Sequence, residues 1–80
     1  MTVNDAVAKR IIKLLAEKNI TQYRLEQDSG ILHGTMSCIL SGKNKTVTLS
    51  TVMMLARGFG ISFIEFLDDD IFRSENLEID

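Results

Sequence analysis

The segment "TQYRLEQDSGILHGTMSCILSGK", residues 21–43, decides how the chain folds. Thr21 can cap a helix over residues 22–28, and Gly30 can end that helix in the left-handed conformation that glycine adopts easily. A second helix over residues 32–40 ends before another glycine. The segment therefore predicts two short helices joined by a tight turn.

The flanking sequence predicts three more helices. Apolar residues recur every three or four positions over residues 4–18, which indicates an amphipathic first helix that Asn4 can cap. A fourth helix lies between Thr48 and Gly60, and "SFIE" at residues 62–65 is a capping box that starts a fifth. No long alternation of apolar and polar residues indicates a strand. The predicted fold class is therefore all-α, with five short helices.

The composition is that of one small intracellular domain. Eighty residues with a single cysteine cannot form an internal disulfide, which favours a reducing setting. The longest apolar run, residues 52–56, is far shorter than the roughly 18 residues that a membrane span needs. The N-terminus "MTVNDAVAKR" lacks the apolar core of a signal peptide. We therefore expect a soluble, cytoplasmic protein with no membrane partner.

Charge is distributed unevenly along the chain, although the net charge is only -2. Residues 1–64 carry eight basic and four acidic side chains, a net of +4, whereas residues 65–80 carry one basic and seven acidic side chains, a net of -6. We divide the chain into a binding domain, residues 1–68, and an acidic tail, residues 69–80. The tail either only keeps the protein in solution or faces a basic partner.

The spacings of the second to fifth helices resemble those of the Cro/C1-type (Xre family) helix-turn-helix domain. A Thr-Gln pair opens the second helix, a turn glycine follows eight residues after Gln22, and the third helix ends in Gly-Lys. An apolar helix that ends in glycine and a Ser-x-x-Glu motif come next. The similarity covers about residues 5–68. It implies a five-helix lambda-repressor-like domain that binds double-stranded DNA and lays its third helix in the major groove.

The resemblance and the helical pattern together assign candidate DNA contacts. Met36 and Ile39 take the inward positions of the third helix, so its outward side is left to read base edges. The expected base-reading residues are His33, Gly34, Ser37 and Cys38. The expected phosphate contacts are Thr21, Gln22, Lys43, Asn44 and Lys45. Arg10 and Lys13 are expected on a solvated face of the first helix.

His33, Ser37 and Cys38 could also suggest an active site or a metal site. His33 and Cys38 are five residues apart and therefore about 140° apart around a helix, which is unfavourable for a nucleophile and its base. His33 and Ser37 can touch, but no acidic partner is expected beside them. One histidine and one cysteine supply too few ligands for zinc. We expect no catalytic residue, no metal and no cofactor, and Cys38 is left as a half-buried filler or a redox-sensitive thiol.

Three residues depart from the family pattern. Glu26 takes a position where the family usually has alanine or another small residue, because two helices pass close together there. Its carboxylate is expected to bend toward solvent or to open the crossing angle. Leu32 replaces the usual polar cap of the third helix, and Gly34 replaces a longer polar side chain. These changes affect which DNA sequence is read more than they affect the fold.

These observations predict a sequence-specific DNA-binding transcription regulator, a repressor, that acts as a homodimer. The dimer is expected because the end of the chain has more apolar side chains than a small bundle can readily cover. These side chains are Ile64, Ile71, Phe72, Leu77 and Ile79. The alternative function is that of a protein-interaction module, an antitoxin or an anti-regulator, whose acidic C-terminus occupies a basic partner. An enzyme is not expected.

Overall fold

Helices follow one another along most of the chain. The computed structural model describes residues 1–43, 46–73 and 77–79. Within these residues the helices are α1 (Val3–Lys18), α2 (Gln22–Ser29), α3 (His33–Ser41), α4 (Leu49–Phe59) and α5 (Phe63–Leu67), and a 3-10 turn follows at Asp70–Phe72. The only strand-like feature of the described residues is a single bridge between Thr2 and Glu78. The prediction of an all-α fold with five short helices is confirmed.

Local sequence sets the starts of α2, α4 and α5 and the ends of α2 and α3. The hydroxyls of Thr21, Thr48 and Ser62 each accept the backbone N–H three residues further along the chain, as predicted for helix caps. At residues 62–65 the described contacts include only this half of the predicted capping box, without the return bond to the Glu65 carboxylate. Gly30 and Gly42, which follow α2 and α3, adopt the left-handed conformation with φ of 77° and 78°. Short-range hydrogen bonds of this kind need no tertiary contact, which is why the sequence alone predicts them.

The cap of α1 differs from the prediction. Thr2, not Asn4, caps this helix: its hydroxyl accepts the Asp5 N–H at 3.0 Å, and the Asp5 carboxylate accepts the Thr2 N–H at 3.1 Å. The sequence signal for this capping box is the Thr-x-x-Asp spacing at the start of the chain. Asn4 is buried in the first turn, and its side-chain Nδ2 donates to the carbonyl of Ile39 at 3.3 Å. Asn4 therefore joins α1 to α3.

Side chains from all five helices form one apolar core. Its fully buried members include Phe66, Ile11, Leu25, Met36, Ile39 and Leu55. Met36 and Ile39 occupy the inward positions of α3, as predicted. Helix α2 packs mainly on α4, and α1 packs on α3. Burial of this apolar surface is the main favourable contribution to folding.

Helices α2 and α4 come very close together at Ser29 and Gly58. A Cβ atom added at Gly58 would lie 2.7 Å from the Cβ of Ser29, and 3.0 Å from both the Cα of Ser29 and the Cδ1 of Leu25. Non-bonded carbon atoms prefer separations of about 3.5–4.0 Å, so only glycine fits here without a shift. The close passage of two helices therefore lies at Ser29, about one turn along α2 from Glu26.

Arg10 is buried, so the expectation that it lies on a solvated face is wrong. Its exposed fraction is 7%. Its Nε donates to the carbonyl of Phe66 at 2.7 Å, and its Nη2 donates to the carbonyl of Glu65 at 3.0 Å. The Glu65 carbonyl also accepts the Asp68 N–H at 3.2 Å, so Arg10 adds a second donor there and a donor to the Phe66 carbonyl. Arg10 therefore ties the end of α5 to α1. The carboxylate of Asp69 lies 3.2 Å from Nη1 of Arg10 and 2.7 Å from Nζ of the half-exposed Lys13.

The residues after α5 continue the packing of the domain. The ring of Phe72 lies 6.2 Å from the ring of Phe66, measured between centroids, and packs against the core. Further along, the Glu78 carbonyl accepts the Val3 N–H at 3.1 Å. These contacts hold the described part of the acidic segment against α1 and the N-terminus.

The five apolar side chains that were expected to need a partner fall into two groups. Ile71, Phe72 and Leu77 are partly buried, so the chain covers these three in part. Ile64 and Ile79 remain exposed, with exposed fractions of 73% and 88%. The apolar surface that these five side chains leave open is therefore mainly that of Ile64 and Ile79.

Candidate nucleic-acid interface

A short turn fixes the start of α3 against α2. The Gly30 N–H donates to the carbonyl of Glu26 at 3.0 Å, and the Ser29 hydroxyl accepts the Ile31 N–H at 3.2 Å. The side chain of Ile31 is buried in the core and anchors the turn. Leu32 follows in an extended conformation and is 77% exposed. Its apolar side chain cannot accept a hydrogen bond, so α3 begins without a side-chain cap.

Helix α3 presents its other side to solvent. The side chain of His33 is 75% exposed. A Cβ atom added at Gly34 would have no neighbour within 4 Å. Ser37 and Cys38 are half-buried. The four predicted base-reading positions therefore lie away from the buried side of α3, with the first two fully open to a ligand.

Glu26 connects α2 to α3 through hydrogen bonds. Its carboxylate accepts from Nε2 of Gln22 at 2.9 Å, and its two oxygens lie 2.9 Å and 3.2 Å from Nδ1 of His33. The hydroxyl of Ser37 lies 3.4 Å from Nε2 of His33. A chain of hydrogen bonds therefore runs through Gln22, Glu26, His33 and Ser37, which we call the Glu26 network.

The structure excludes one of the two alternatives for Glu26 and contradicts one expectation about His33 and Ser37. Glu26 is only 8% exposed, so its carboxylate does not bend toward solvent. The same carboxylate is the acidic partner that was not expected beside His33 and Ser37. The hydrogen bond between Gln22 and Glu26 has a sequence signal, because the two residues are four positions apart on one helix. The contact with His33 crosses the turn, and no helical periodicity reports it.

The Glu26 network keeps the carboxylate ionised. Hydrogen bonds from the Gln22 amide and then from the His33 ring outweigh the effect of desolvation and hold the pKa of Glu26 below its ordinary value of 4.5. Glu26 therefore carries a negative charge at neutral pH. An ionised carboxylate only accepts hydrogen bonds, so the groups around it must donate.

Ser37, His33 and Glu26 follow the order of a catalytic triad, but the surrounding helix does not favour catalysis. Ser37 lies inside α3, where backbone N–H groups are bonded within the helix and cannot stabilise an oxyanion. The 3.4 Å between Ser37 and His33 is also longer than the roughly 2.6–3.2 Å of an activated nucleophile. Among the described residues, no group of three or more His, Cys, Asp or Glu side chains could hold a metal ion. We interpret the Glu26 network as a device that orients His33.

Three of the five predicted phosphate contacts, Thr21, Gln22 and Lys43, are among the described residues and lie at the two ends of the α2–α3 pair. The Thr21 hydroxyl accepts a backbone N–H of α2 at 3.1 Å. The Gln22 amide has two N–H groups, of which the Glu26 network uses one and leaves the other to a ligand. Lys43 is exposed directly after α3. Asn44 and Lys45, the remaining two predicted contacts, lie outside the residues that the structure describes.

A short exposed helix, held by a glycine turn against the helix before it, is the arrangement that places side chains in the major groove of DNA. The family profile of the Cro/C1-type HTH DNA-binding domain matches residues 10–70 of the chain. The chain belongs to the Cro/C1-type helix-turn-helix family. Helices α2 and α3 form its helix-turn-helix, and the family is one of DNA-binding regulators. No curated protein and no solved structure matches the chain.

The Glu26 network lies between the two helices of the Cro/C1-type helix-turn-helix and reaches the exposed side of α3 at His33.

No helix in the described ranges of the chain is long and apolar enough to cross a membrane.

Proposed function

We propose that the protein is a cytoplasmic transcription regulator, a repressor, that binds a short DNA sequence as a homodimer. The exposed side of α3 carries the proposal: His33 is open to solvent on a helix whose other side is anchored by the fully buried Met36 and Ile39. A helix held in this way can enter a major groove, which is about 12 Å wide. Binding needs no chemical step and no cofactor.

In this proposal base reading and phosphate binding belong to different parts of the helix-turn-helix. The base readers are His33, Gly34, Ser37 and Cys38, and the missing side chain at position 34 lets the backbone of α3 approach the bases closely. The phosphate contacts are Thr21, Gln22, Lys43, Asn44 and Lys45. The first two stand at the N-terminus of α2, where free backbone N–H groups and the helix dipole favour an anion. The others follow α3.

Exposed apolar side chains on α4 and α5 support a second copy of the chain as the partner. Leu49 and Met53 are four residues apart and share one side of α4, and both are exposed. Ile64 is exposed on α5, which packs on α4. A two-fold dimer through this surface would present two copies of α3 to successive turns of DNA, about 34 Å apart. Sedimentation that shows only a 9.0 kDa species at micromolar concentration, with and without DNA, would contradict the dimer.

The acidic segment gives less support to a protein-interaction module such as an antitoxin. Asp69 already pairs with Arg10 and Lys13, and Arg73 pairs with the carboxylates on either side of Asp69. Carboxylates that are paired within the chain are less available to a basic partner. DNA binding therefore remains the function that the described contacts favour.

Two alanine substitutions test the proposal, because a base reader and a phosphate contact should fail in different ways. Selection from a pool of duplexes with a randomised core first supplies a preferred sequence and its single-base variants. His33→Ala should then lose discrimination at one base pair by about 1–3 kcal/mol, since the lost contact depends on sequence. Lys43→Ala should weaken binding to all duplexes alike and reduce the slope of log affinity against log salt by about one unit.

The measurement is a set of binding isotherms for both variants at several salt concentrations on both kinds of duplex. If His33→Ala weakens the preferred and the variant duplexes equally, His33 is not a base reader. If the natural protein binds no duplex from the pool at low salt, the proposed function itself is wrong.

A further inference from the structure

In the Glu26 network the direction of each hydrogen bond toward the carboxylate is fixed, and this limits which groups His33 can recognise. Both neighbours of the Glu26 carboxylate must donate to it, because an ionised carboxylate has no hydrogen to give. The Gln22 amide satisfies this through Nε2. His33 satisfies it only when Nδ1 carries a hydrogen, which in the neutral ring leaves Nε2 without one.

In the neutral ring, the exposed end of the network therefore offers an acceptor, the lone pair of Nε2 of His33. When the hydroxyl of Ser37, at 3.4 Å, donates to Nε2 instead, the lone pairs of the hydroxyl oxygen are the acceptors that remain for a ligand. Glu26 is buried and bonded on both sides, so it holds the ring in this orientation before DNA arrives.

We infer, resting on the DNA-binding function proposed above, that His33 together with Ser37 accepts a hydrogen bond from the exocyclic amino group of a base in the major groove. Glu26 is the positioning residue, because its carboxylate fixes which ring nitrogen of His33 carries the hydrogen. The amino groups on that edge are N6 of adenine and N4 of cytosine. The other polar atoms there, N7 and O6 of guanine, N7 of adenine and O4 of thymine, are acceptors and would face a lone pair.

Base analogues that differ by one functional group test the inference directly. The preferred duplex is first selected from the randomised pool, and the base pair that depends on His33 is found with His33→Ala. At this pair the amino group is then removed, by purine in place of adenine or by 2-pyrimidinone in place of cytosine. In a separate duplex the purine N7 acceptor is removed with a 7-deaza base.

Loss of the amino group should weaken binding by the natural protein about fivefold, which corresponds to one hydrogen bond of about 1 kcal/mol. The same analogue should not change binding by His33→Ala, which separates the lost contact from the weaker base pairing of the analogue. The 7-deaza duplex should bind as well as the parent. The inference is wrong, while the proposed function stands, if removing N7 weakens binding in a way that depends on His33 and removing the amino group does not weaken binding.

The role of Glu26 needs a measurement that a purely structural residue would not alter. Ring nitrogen shifts in 15N-histidine NMR, recorded on the free natural protein in mildly alkaline buffer, should show the hydrogen of His33 on Nδ1. Glu26→Ala should move part of the population to the Nε2–H form and shrink the fivefold amino effect. Glu17→Ala, which removes a carboxylate from the exposed end of α1, should change neither.

Different results would contradict the proposed function and the role of His33. If the natural protein selects no sequence and binds no duplex, the proposed function is wrong and the inference falls with it. If it binds a selected sequence but the free His33 ring carries its hydrogen on Nε2, or Glu26→Ala leaves both the ring and the amino effect unchanged, the inference alone is wrong.

Discussion

Two glycine-to-alanine substitutions, identical in chemistry, should change stability in opposite directions. Gly34 lies in the first turn of α3 and Gly58 in the last turn of α4, where alanine is favoured over glycine by up to about 1 kcal/mol. At Gly34 the added methyl group meets nothing within 4 Å, so no steric cost offsets this gain. At Gly58 the methyl group would lie 2.7 Å from the Ser29 Cβ and 3.0 Å from the Ser29 Cα.

The sign at Gly58 follows from which atoms have to move. The Cα of Ser29 is backbone, so α2 as a whole must shift away from α4, and the nearby Leu25 side chain is fully buried and has little room. Inserting a methylene-sized group into such a site costs about 1–3 kcal/mol, which offsets or exceeds the gain in helix propensity. We expect Gly34→Ala to stabilise the domain by up to about 1 kcal/mol and Gly58→Ala to destabilise it by about 1 kcal/mol.

Urea denaturation followed by circular dichroism measures both changes. The two midpoints should move in opposite directions while the dependence of the free energy on urea stays the same, because the surface exposed on unfolding hardly changes. If both variants are stabilised to the same extent, α2 and α4 do not approach each other as closely as described. Because α3 is attached to α2, Gly58→Ala should also weaken DNA binding more than its effect on stability explains.

Two further predictions concern the contacts around Asp69. Arg10→Ala removes the buried donor from the last carbonyls of α5 and from the Asp69 carboxylate, so the free energy of unfolding should fall by about 3–5 kcal/mol. Lys13→Ala, which removes only an exposed partner of Asp69, should have a much smaller effect. Equal losses for the two variants in urea denaturation would contradict the burial of Arg10. Lys13 and the backbone N–H of Ile71 hold the pKa of Asp69 below its ordinary value of 3.8. The ionised Asp69 carboxylate therefore stabilises the fold fully at a pH above this ordinary pKa, and the stabilisation is lost as the pH falls through the lower pKa of the folded protein. The difference in unfolding free energy between the natural protein and Asp69→Asn should accordingly be largest near neutral pH and shrink in acid, and a difference that does not depend on pH would argue against this pairing.

The sequence predicts best what neighbouring residues determine. The caps at Thr21, Thr48 and Ser62 depend on atoms three residues away, and the burial of Met36 and Ile39 follows from helical periodicity. These features place α3 and define its outward side without knowledge of the rest of the fold. The resemblance to the Cro/C1-type family then adds the prediction that α3 contacts DNA.

Contacts between distant parts of the chain could not be predicted in the same way. Arg10 and Asp69 are far apart in sequence, and an arginine among exposed lysines on a helix is indistinguishable by pattern from a solvated one. The partnership of Glu26 with His33 depends on how the turn orients α3 against α2. The sequence shows that Glu26 is unusual at its position, but only the tertiary contact shows why it is tolerated.

The departures from the family pattern at Glu26 and Leu32 can be understood together. Leu32 leaves the N-terminus of α3 without a side-chain acceptor, so the positive end of that helix lacks its usual polar partner. The carboxylate of Glu26 reaches His33, the first residue of α3, and thereby brings a negative charge from α2 to this helix end. The close passage of helices at Ser29 and Gly58 leaves the earlier part of α2 able to hold the longer side chain. A helix start that is stabilised through the exposed side chain of His33, instead of through its own cap, couples the folding of α3 to the orientation of that ring.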